Sequence, residues 1–234
     1  MLNSIELKNI EDIALRAGKV VMKIYNDDFL VQYKDDKSPP TQADLEANKI
    51  ICNSLNKLYP NIPIMSEENK EIPYEDRKDW EYYWCIDPID GTKEFVKKNG
   101  EFAINIALIK KDTPVLKDIY SAKKGFATFK NGNKLKNTVS TNKKIRAVVS
   151  KSHLNDETKK FIEKLGDVEI VSCGSSLKLC LVADNKADIY SRLSPTMEWD
   201  TAAADTIVRE SGKMTYIYDT LDVVKYNKDN LLNP

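Results

Sequence analysis

The sequence predicts a mixed α/β fold, and three patterns lead to this fold class. Residues 10–24 and 44–58 repeat apolar side chains at helical spacing. Residues 80–86 have the aromatic and apolar composition of a buried strand, and residues 102–108 alternate with a period of two. From residue 145 onward, predicted strands and helices alternate, which is typical of layered α/β proteins. Helices therefore lead the chain, and the second half combines both kinds of element.

The N-terminal half begins with two amphipathic helices. The first places Ile10, Ile13 and Val21 on one face, and the second begins near Asp44 and is stopped by Pro60. Predicted strands then follow at 62–65, 80–86, 102–108, 115–120 and 126–129.

The C-terminal half alternates strands at 145–150, 168–171 and 188–190 with helices at 156–165, 175–183 and 201–211. A polar stretch, residues 131–144, separates the halves. We expect residues 1–130 to form an α+β part that carries a large mixed sheet and the metal-binding turn described below. We expect residues 131–234 to form an α/β part that completes the site.

Composition indicates a globular protein that holds its ligands locally. The chain has 234 residues, 41% hydrophobic and 31% charged, and its 36 basic residues balance 36 acidic ones. No basic surface for a nucleic-acid polymer is therefore indicated. The four cysteines lack C-x-x-C spacing, and the N-terminal sequence contains neither an apolar signal region nor a membrane-spanning run. We expect a cytoplasmic protein without an integral membrane segment, with peripheral attachment at the inner face of the membrane as the alternative.

The segment DPIDGT, residues 87–92, places two carboxylates and a hydroxyl in one turn. Pro88 disfavours helical backbone at Asp87, so we expect the strand to end there. Gly91 permits backbone angles closed to other residues, and Thr92 is expected to cap the helix that follows. A helix N-terminus attracts phosphate, and carboxylates beside a phosphate require cations between them. Hard oxygen ligands of this kind favour Mg²⁺.

A site for two metal ions needs further carboxylates from distant parts of the chain. The candidates are Asp44, Glu67 and Glu68 after a short strand, and Asp200 before a small-residue helix. Taken singly, Asp44 and Asp200 are ordinary N-caps and the glutamate pair is solvated surface. Their occurrence together favours the metal site. His153, the only histidine, lies apart from these acids and is given no catalytic role.

Three motifs in this order resemble those of the inositol monophosphatase-like, lithium-sensitive phosphatases. They are Ser66-Glu67-Glu68, the W-x-x-D-P-x-D-G-T pattern at 84–92, and W-D-x-A-A at 199–203. Within this family, the sequences KEF at 93–95 and NGEF at 99–102 resemble the CysQ-type 3'(2'),5'-bisphosphate nucleotidases. The resemblance covers nearly the whole chain. It implies a layered αβαβα sandwich of the inositol monophosphatase/fructose bisphosphatase type.

The resemblance also implies a set of metal ligands. Glu67, Asp87 and the backbone carbonyl of Ile89 would hold one Mg²⁺, and Asp87, Asp90 and Asp200 would hold a second. Asp87 would therefore bridge the two ions. A third, looser ion would rest on Glu67, which gives two or three ions in all.

The catalytic and substrate-binding residues follow from the same resemblance. Asp44 and Thr92, with the ligand Glu67, would orient and deprotonate a metal-bound water, while the amides of Gly91 and Thr92 bind phosphate. The remaining substrate contacts would come from Lys93, Ser175, Lys178, Arg192 and Glu198. For Lys178 and Arg192, a role as surface charges is the alternative.

The implied activity is Mg²⁺-dependent hydrolysis of adenosine 3',5'-bisphosphate to AMP and phosphate, with the sulfate-activated form of this nucleotide as a second substrate. The partner would be a small nucleotide bisphosphate, and the protein would act in sulfur metabolism. Two alternatives stay open: an inositol or sugar phosphatase of the same family, and a nucleotide-binding regulatory protein with weak catalysis. The sequence leaves the oligomeric state open.

Two stretches depart from the family pattern. The segment 114–129 is shorter than in nucleotidases of this type, and the sequence ends at Pro234 where relatives continue into one last strand. We therefore expect a trimmed smaller sheet and an exposed sheet edge.

Overall fold

The structure is a computed structural model that describes residues 5–26, 42–110, 113–114, 120–123, 127–136, 144–151 and 154–234. Within these ranges the helices are α1 (Leu7–Asn26), α2 (Gln42–Leu58), α3 (Tyr74–Arg77), α4 (Thr92–Val96), α5 (Asp156–Glu163), α6 (Leu177–Ala183) and α7 (Glu198–Glu210). The strands are β1 (Ile64–Ser66), β2 (Tyr82–Asp90), β3 (Ala103–Lys110), β4 (Thr113–Pro114), β5 (Tyr120–Lys123), β6 (Ala127–Lys130), β7 (Asn133–Lys134), β8 (Ile145–Ser150), β9 (Val168–Cys173) and β10 (Ile189–Tyr190). His153 and most of the predicted strand 115–120 lie outside the described residues.

A mixed sheet of four strands, in the order β1-β2-β3-β4, carries the DPIDGT turn. Strand β2 pairs with β1 in parallel and with β3 in antiparallel orientation, and Asp87 lies opposite Asn105. The register shifts between Asp87 and Asp90, so β2 continues through the segment where we expected it to end. Pro88 fits because such irregularities are where a strand tolerates a residue without a backbone donor.

Helices α1 and α2 cover one face of this sheet. Ile10 and Ile13 of α1 and Leu55 of α2 are buried in one apolar cluster with Trp84 and Ile86 of β2. Burying an aliphatic side chain of this kind stabilises the fold by about 1.5–3 kcal/mol. The helical spacing of these residues therefore determines which face of each helix packs on the sheet.

Helix α7 covers the opposite face of the same sheet. Ala202 and Ala203 lie in a second cluster with Tyr83, Cys85 and Ala107. Because alanine side chains are small, the first turns of α7 lie close to the strands. This approach places Asp200, in the first turn of α7, near the end of β2.

A second sheet, in the order β10-β8-β9, is parallel throughout. Val182 of α6 packs on Val148 on one face of β8, and Ile162 of α5 packs on Val149 on the other. Helix α6 also shares an apolar cluster with α7. The order of layers is α1 and α2, the mixed sheet, α6 and α7, the parallel sheet, and α5. This order confirms the mixed α/β fold and the αβαβα sandwich.

A third, antiparallel sheet, in the order β5-β6-β7, packs beside α7, where Thr128 Oγ1 donates to the carbonyl oxygen of Ile207 at 3.1 Å. The last residues of the chain return to the start of α7. Glu198 N donates to Leu231 O at 3.0 Å, and Met197 forms an antiparallel bridge with Leu232. None of the described helices combines the length and the apolar character needed to span a bilayer.

Candidate active site

Three carboxylates from separate elements converge at the end of β2. Glu67 follows β1, Asp87 lies in β2, and Asp200 lies in the first turn of α7. One oxygen from each lies within 4.8 Å of the others. The parallel pairing of β1 with β2 brings Glu67 to this place, and Glu67 N donates to Ile86 O at 3.1 Å.

Asp87 is buried, Asp200 is half-buried and Glu67 is exposed, and the negative charges of the three repel one another. Burial, followed by the charges of Glu67, Asp90, Asp200 and Asp44, holds the pKa of Asp87 well above its ordinary value. Burial and then the charge of Asp90 raise the pKa of Asp200 to about 7. The described residues offer no hydrogen-bond partner to Asp87 Oδ1. An orphaned oxygen among crowded acids fits a bound divalent cation, and an all-oxygen donor set suits Mg²⁺.

Asp200 takes part both in the start of α7 and in the acidic cluster. The expectation that it is the N-cap is wrong, because α7 begins at Glu198 with Met197 as its N-cap. Asp200 is the third residue of the helix, and its Oδ2 accepts a hydrogen bond from Met197 N at 2.7 Å. The same side chain belongs to the acidic cluster. Asp44 lies in the first turn of α2, is 3% exposed, and is near enough for its charge to raise the pKa of Asp87.

The turn after Asp90 differs in one detail from the sequence prediction. Helix α4 begins at Thr92 with Gly91 as its N-cap, so Thr92 is not the cap. Its hydroxyl donates instead to Ile89 O at 3.1 Å. Gly91 has φ 96°, and a Cβ there would lie 3.0 Å from the Glu101 carbonyl oxygen. Only glycine fits this position without strain.

A cavity of about 230 Å³ adjoins the acidic cluster. Its lining includes six of the expected substrate contacts, namely Gly91, Thr92, Lys93, Ser175, Lys178 and Arg192. Asp90 and Asp200 belong to the same lining. The cavity is therefore lined both by acidic metal-ligand candidates and by cationic side chains.

Lys178 is a buried cation, and the surface alternative is wrong for this residue. It is 4% exposed, and its Nζ donates to Ser175 O and lies 5.5 Å from the ring centroid of Tyr190. Burial lowers the pKa of Lys178, and the charge of Asp90 opposes this effect. Arg192 is oriented by Ser194, whose carbonyl oxygen accepts from Nε at 3.2 Å. Both residues line the cavity and therefore bring positive charge to it.

Glu198 does not occupy the position expected of a substrate contact. It is fully buried in the first turn of α7, and it is not part of the cavity lining. Its Oε2 accepts from Asn227 N at 2.7 Å, and its Oε1 accepts from Lys228 N at 3.0 Å and from Lys228 Nζ at 2.6 Å. The carboxylate therefore holds the C-terminal segment against α7.

Four residues near the cavity received no role from the sequence, namely Glu94, Glu101, Asn105 and Ser176. Glu101 Oε2 accepts from Gly174 N at 2.9 Å, and its Oε1 accepts from Lys151 Nζ at 2.8 Å. Asn105 is 1% exposed inside the otherwise apolar interior of β3. One signal could have identified Asn105: it is the single amide in an apolar strand, and it lies opposite Asp87 of β2.

Comparisons with known proteins agree with this geometry. The model of the inositol monophosphatase family matches residues 5–231. The 3'(2'),5'-bisphosphate nucleotidase CysQ of Salmonella typhimurium is 38% identical over 97% of this chain and 97% of that protein. The nucleotidase of the same name from Buchnera aphidicola is 41% identical over 88% of this chain and 82% of that protein.

Solved structures give the same result. The crystal structure of CysQ from Bacteroides thetaiotaomicron, described as a bacterial member of the inositol monophosphatase family, is 38% identical and has a TM-score of 0.83. The similarity covers 95% of this chain and 92% of that one. With the fold, the converging acids and the near full-length match in agreement, the chain belongs to the inositol monophosphatase family.

Proposed function

We propose that this protein is a Mg²⁺-dependent 3'(2'),5'-bisphosphate nucleotidase that hydrolyses adenosine 3',5'-bisphosphate to AMP and phosphate. The observation that carries the proposal is the acidic cluster of Glu67, the buried Asp87 and Asp200, beside a cavity with cationic side chains. The similarity to CysQ nucleotidases over nearly the full chain supports the choice of substrate class. The sulfate-activated form of the same nucleotide is proposed as a second substrate.

The acidic residues are proposed to hold two or three ions. Glu67, Asp87 and the carbonyl of Ile89 form one set of ligands, and Asp87, Asp90 and Asp200 form the other. Bound Mg²⁺ supplies charge neutralisation and lowers the pKa of coordinated water, as in other metal-dependent phosphatases. The orphaned Oδ1 of Asp87 supports this assignment.

Other side chains position the substrate and accept a proton. The carboxylate of Asp44, buried beside the cluster, is proposed to take the proton of the attacking water, and Thr92 Oγ1 helps to orient that water. The amides of Gly91 and Thr92 bind the reacting phosphate. Lys93, Lys178 and Arg192, which line the same cavity, neutralise the second phosphate of the substrate. Burial of Lys178 makes its charge more effective, because the local dielectric constant is low.

The test is phosphate release from three compounds, with Mg²⁺ and with EDTA. Adenosine 3',5'-bisphosphate should be hydrolysed far faster than inositol 1-phosphate or fructose 1,6-bisphosphate, and only with Mg²⁺. A preference for inositol 1-phosphate would contradict the nucleotide assignment and support the alternative phosphatase. Tight calorimetric binding of the nucleotide without hydrolysis would instead support a regulatory role.

A further inference from the structure

A hydrogen-bonded triangle joins the acidic cluster to the loop before α6. Asp90 Oδ2 accepts from the backbone N of Ser176 and, at 3.5 Å, from Asn105 Nδ2. Asn105 Oδ1 accepts from Ser176 Oγ at 3.0 Å. The Asn105 side chain therefore uses both of its polar ends, one on a metal-ligand candidate and one on the loop 174–176.

Burial favours the arrangement in which all three of these hydrogen bonds are formed. Asn105 is 1% exposed and Ser176 is 7% exposed, so water has little access to the groups if the triangle opens. An unsatisfied buried polar group costs more than a hydrogen bond contributes. The arrangement in which Asp90, Asn105 and Ser176 meet is thus strongly preferred over alternatives in which one of them turns away.

The loop 174–176 has little freedom to find another position. Ser175 has φ 50°, a left-handed conformation that is uncommon for residues other than glycine. A Cβ on Gly91 would lie 3.1 Å from Ser175 Cβ, and a Cβ on Gly174 would lie 2.7 Å from Glu101 O. Strained backbone of this kind persists where its surroundings determine it, often at ligand sites. The flanking contacts at Gly174 and Ser176 provide those surroundings.

We propose that Asn105 is a positioning residue that fixes Asp90 and the loop 174–176 relative to each other. The affinity for Mg²⁺, which depends on Asp90, and the affinity for the nucleotide, which contacts Ser175, then depend on one shared amide. Both parts of the inference rest on the proposed function, one on Asp90 as a metal ligand and the other on the nucleotide as substrate. Binding of Mg²⁺ is measured without substrate, so the two parts can fail separately. Asn105 does not line the cavity, so its effect on either ligand would pass through Asp90 and Ser176.

The experiment compares the full-length wild type with Asn105→Leu, which has a similar size and no polar atoms, and with Ser176→Ala. Calorimetry without substrate gives the Mg²⁺ dissociation constant, and steady-state assays give kcat and KM for adenosine 3',5'-bisphosphate. Ser211→Ala is the matched control, because Ser211 is also 7% exposed and its Oγ donates to Val208 O at 2.7 Å, at the end of α7. Urea unfolding in EDTA reports the stability of each variant.

Asn105→Leu should raise both the Mg²⁺ dissociation constant and KM by roughly tenfold, the size of one lost hydrogen bond to a carboxylate. Ser176→Ala should change the same two constants by roughly threefold, and the double variant should resemble Asn105→Leu because both changes open one network. Ser211→Ala should alter only stability.

The proposal would be overturned by a folded Asn105→Leu variant whose Mg²⁺ dissociation constant and KM both equal those of the wild type, whether or not its stability in urea has changed. If Asn105→Leu does not fold, Ser176→Ala decides the question by the same criterion. If the wild type fails to hydrolyse the nucleotide, the proposed function is wrong, and the Mg²⁺ constants still test the role of Asn105.

Discussion

Replacing Asp200 by asparagine should stabilise the metal-free protein, although it should abolish activity. The pKa of Asp200 is about 7 in the folded chain against an ordinary value of 3.8, because burial and the charges of its neighbours disfavour ionisation. A pKa difference of about three units lowers the free energy of unfolding by roughly 4 kcal/mol at a pH where Asp200 is ionised in both states. The asparagine side chain lacks this charge, and its amide oxygen can still accept from Met197 N.

The effect should depend on pH in a defined direction. Between the ordinary pKa of 3.8 and the folded value of about 7, the folded state binds the proton more tightly than the unfolded state. The stability contributed by this group therefore decreases as pH rises through that window and is constant above it. The advantage of Asp200→Asn should be roughly 4 kcal/mol at pH 8 and below about 2 kcal/mol at pH 5.

Urea unfolding in EDTA at pH 5 and pH 8 measures these differences. Asp79→Asn is the matched control, because Asp79 is exposed and lies outside the cluster, so its replacement should leave the stability unchanged. Added Mg²⁺ should stabilise the wild type more than Asp200→Asn, because the variant keeps only the ligand set that does not include Asp200. An Asp200→Asn variant that is no more stable than the wild type at pH 8 would refute the claim that burial and the neighbouring charges disfavour the ionised form of Asp200.

Three further predictions follow, two on residues that line the cavity and one on the contact between α7 and the C-terminal segment. Gly174→Ala should lower kcat/KM at least tenfold, because its Cβ would lie 2.7 Å from the Glu101 carbonyl oxygen; unchanged kinetics would show that the loop can move. Lys178→Met should raise KM for the bisphosphate roughly tenfold by loss of a charged contact, and equal KM values would remove Lys178 from the substrate site. Glu198→Ala should reduce the free energy of unfolding by about 3 kcal/mol, measured in urea, since the amides of Asn227 and Lys228 lose their acceptor.

The elements and the acidic cluster could be predicted from the sequence because each has a local signal. Apolar spacing identified α1 and α2, and alternation identified β3. The ligand candidates lie in short motifs at the ends of elements, so Glu67, Asp87 and Asp200 could be named before their convergence was known.

Other features depend on contacts between distant segments, which no local pattern encodes. Glu198 adjoins the Trp199-Asp200 motif, yet its carboxylate accepts hydrogen bonds from the backbone amides of Asn227 and Lys228. Thr92 was expected to cap α4, but the positive φ of Gly91 moves the cap by one residue. Asn105 acquires its partners only when β3 meets the loop before α6.

The measurement that tests the central claim most directly is calorimetric titration of Mg²⁺ into the wild type and Asp87→Asn, both free of substrate. Asp87 is 1% exposed and its Oδ1 has no partner among the described residues, so an amide there should leave the fold intact. The account predicts saturable binding to the wild type, at least tenfold weaker binding to the variant, and loss of phosphate release in the variant. Equal Mg²⁺ affinity in the two folded proteins would contradict the assignment of this cluster as the metal site.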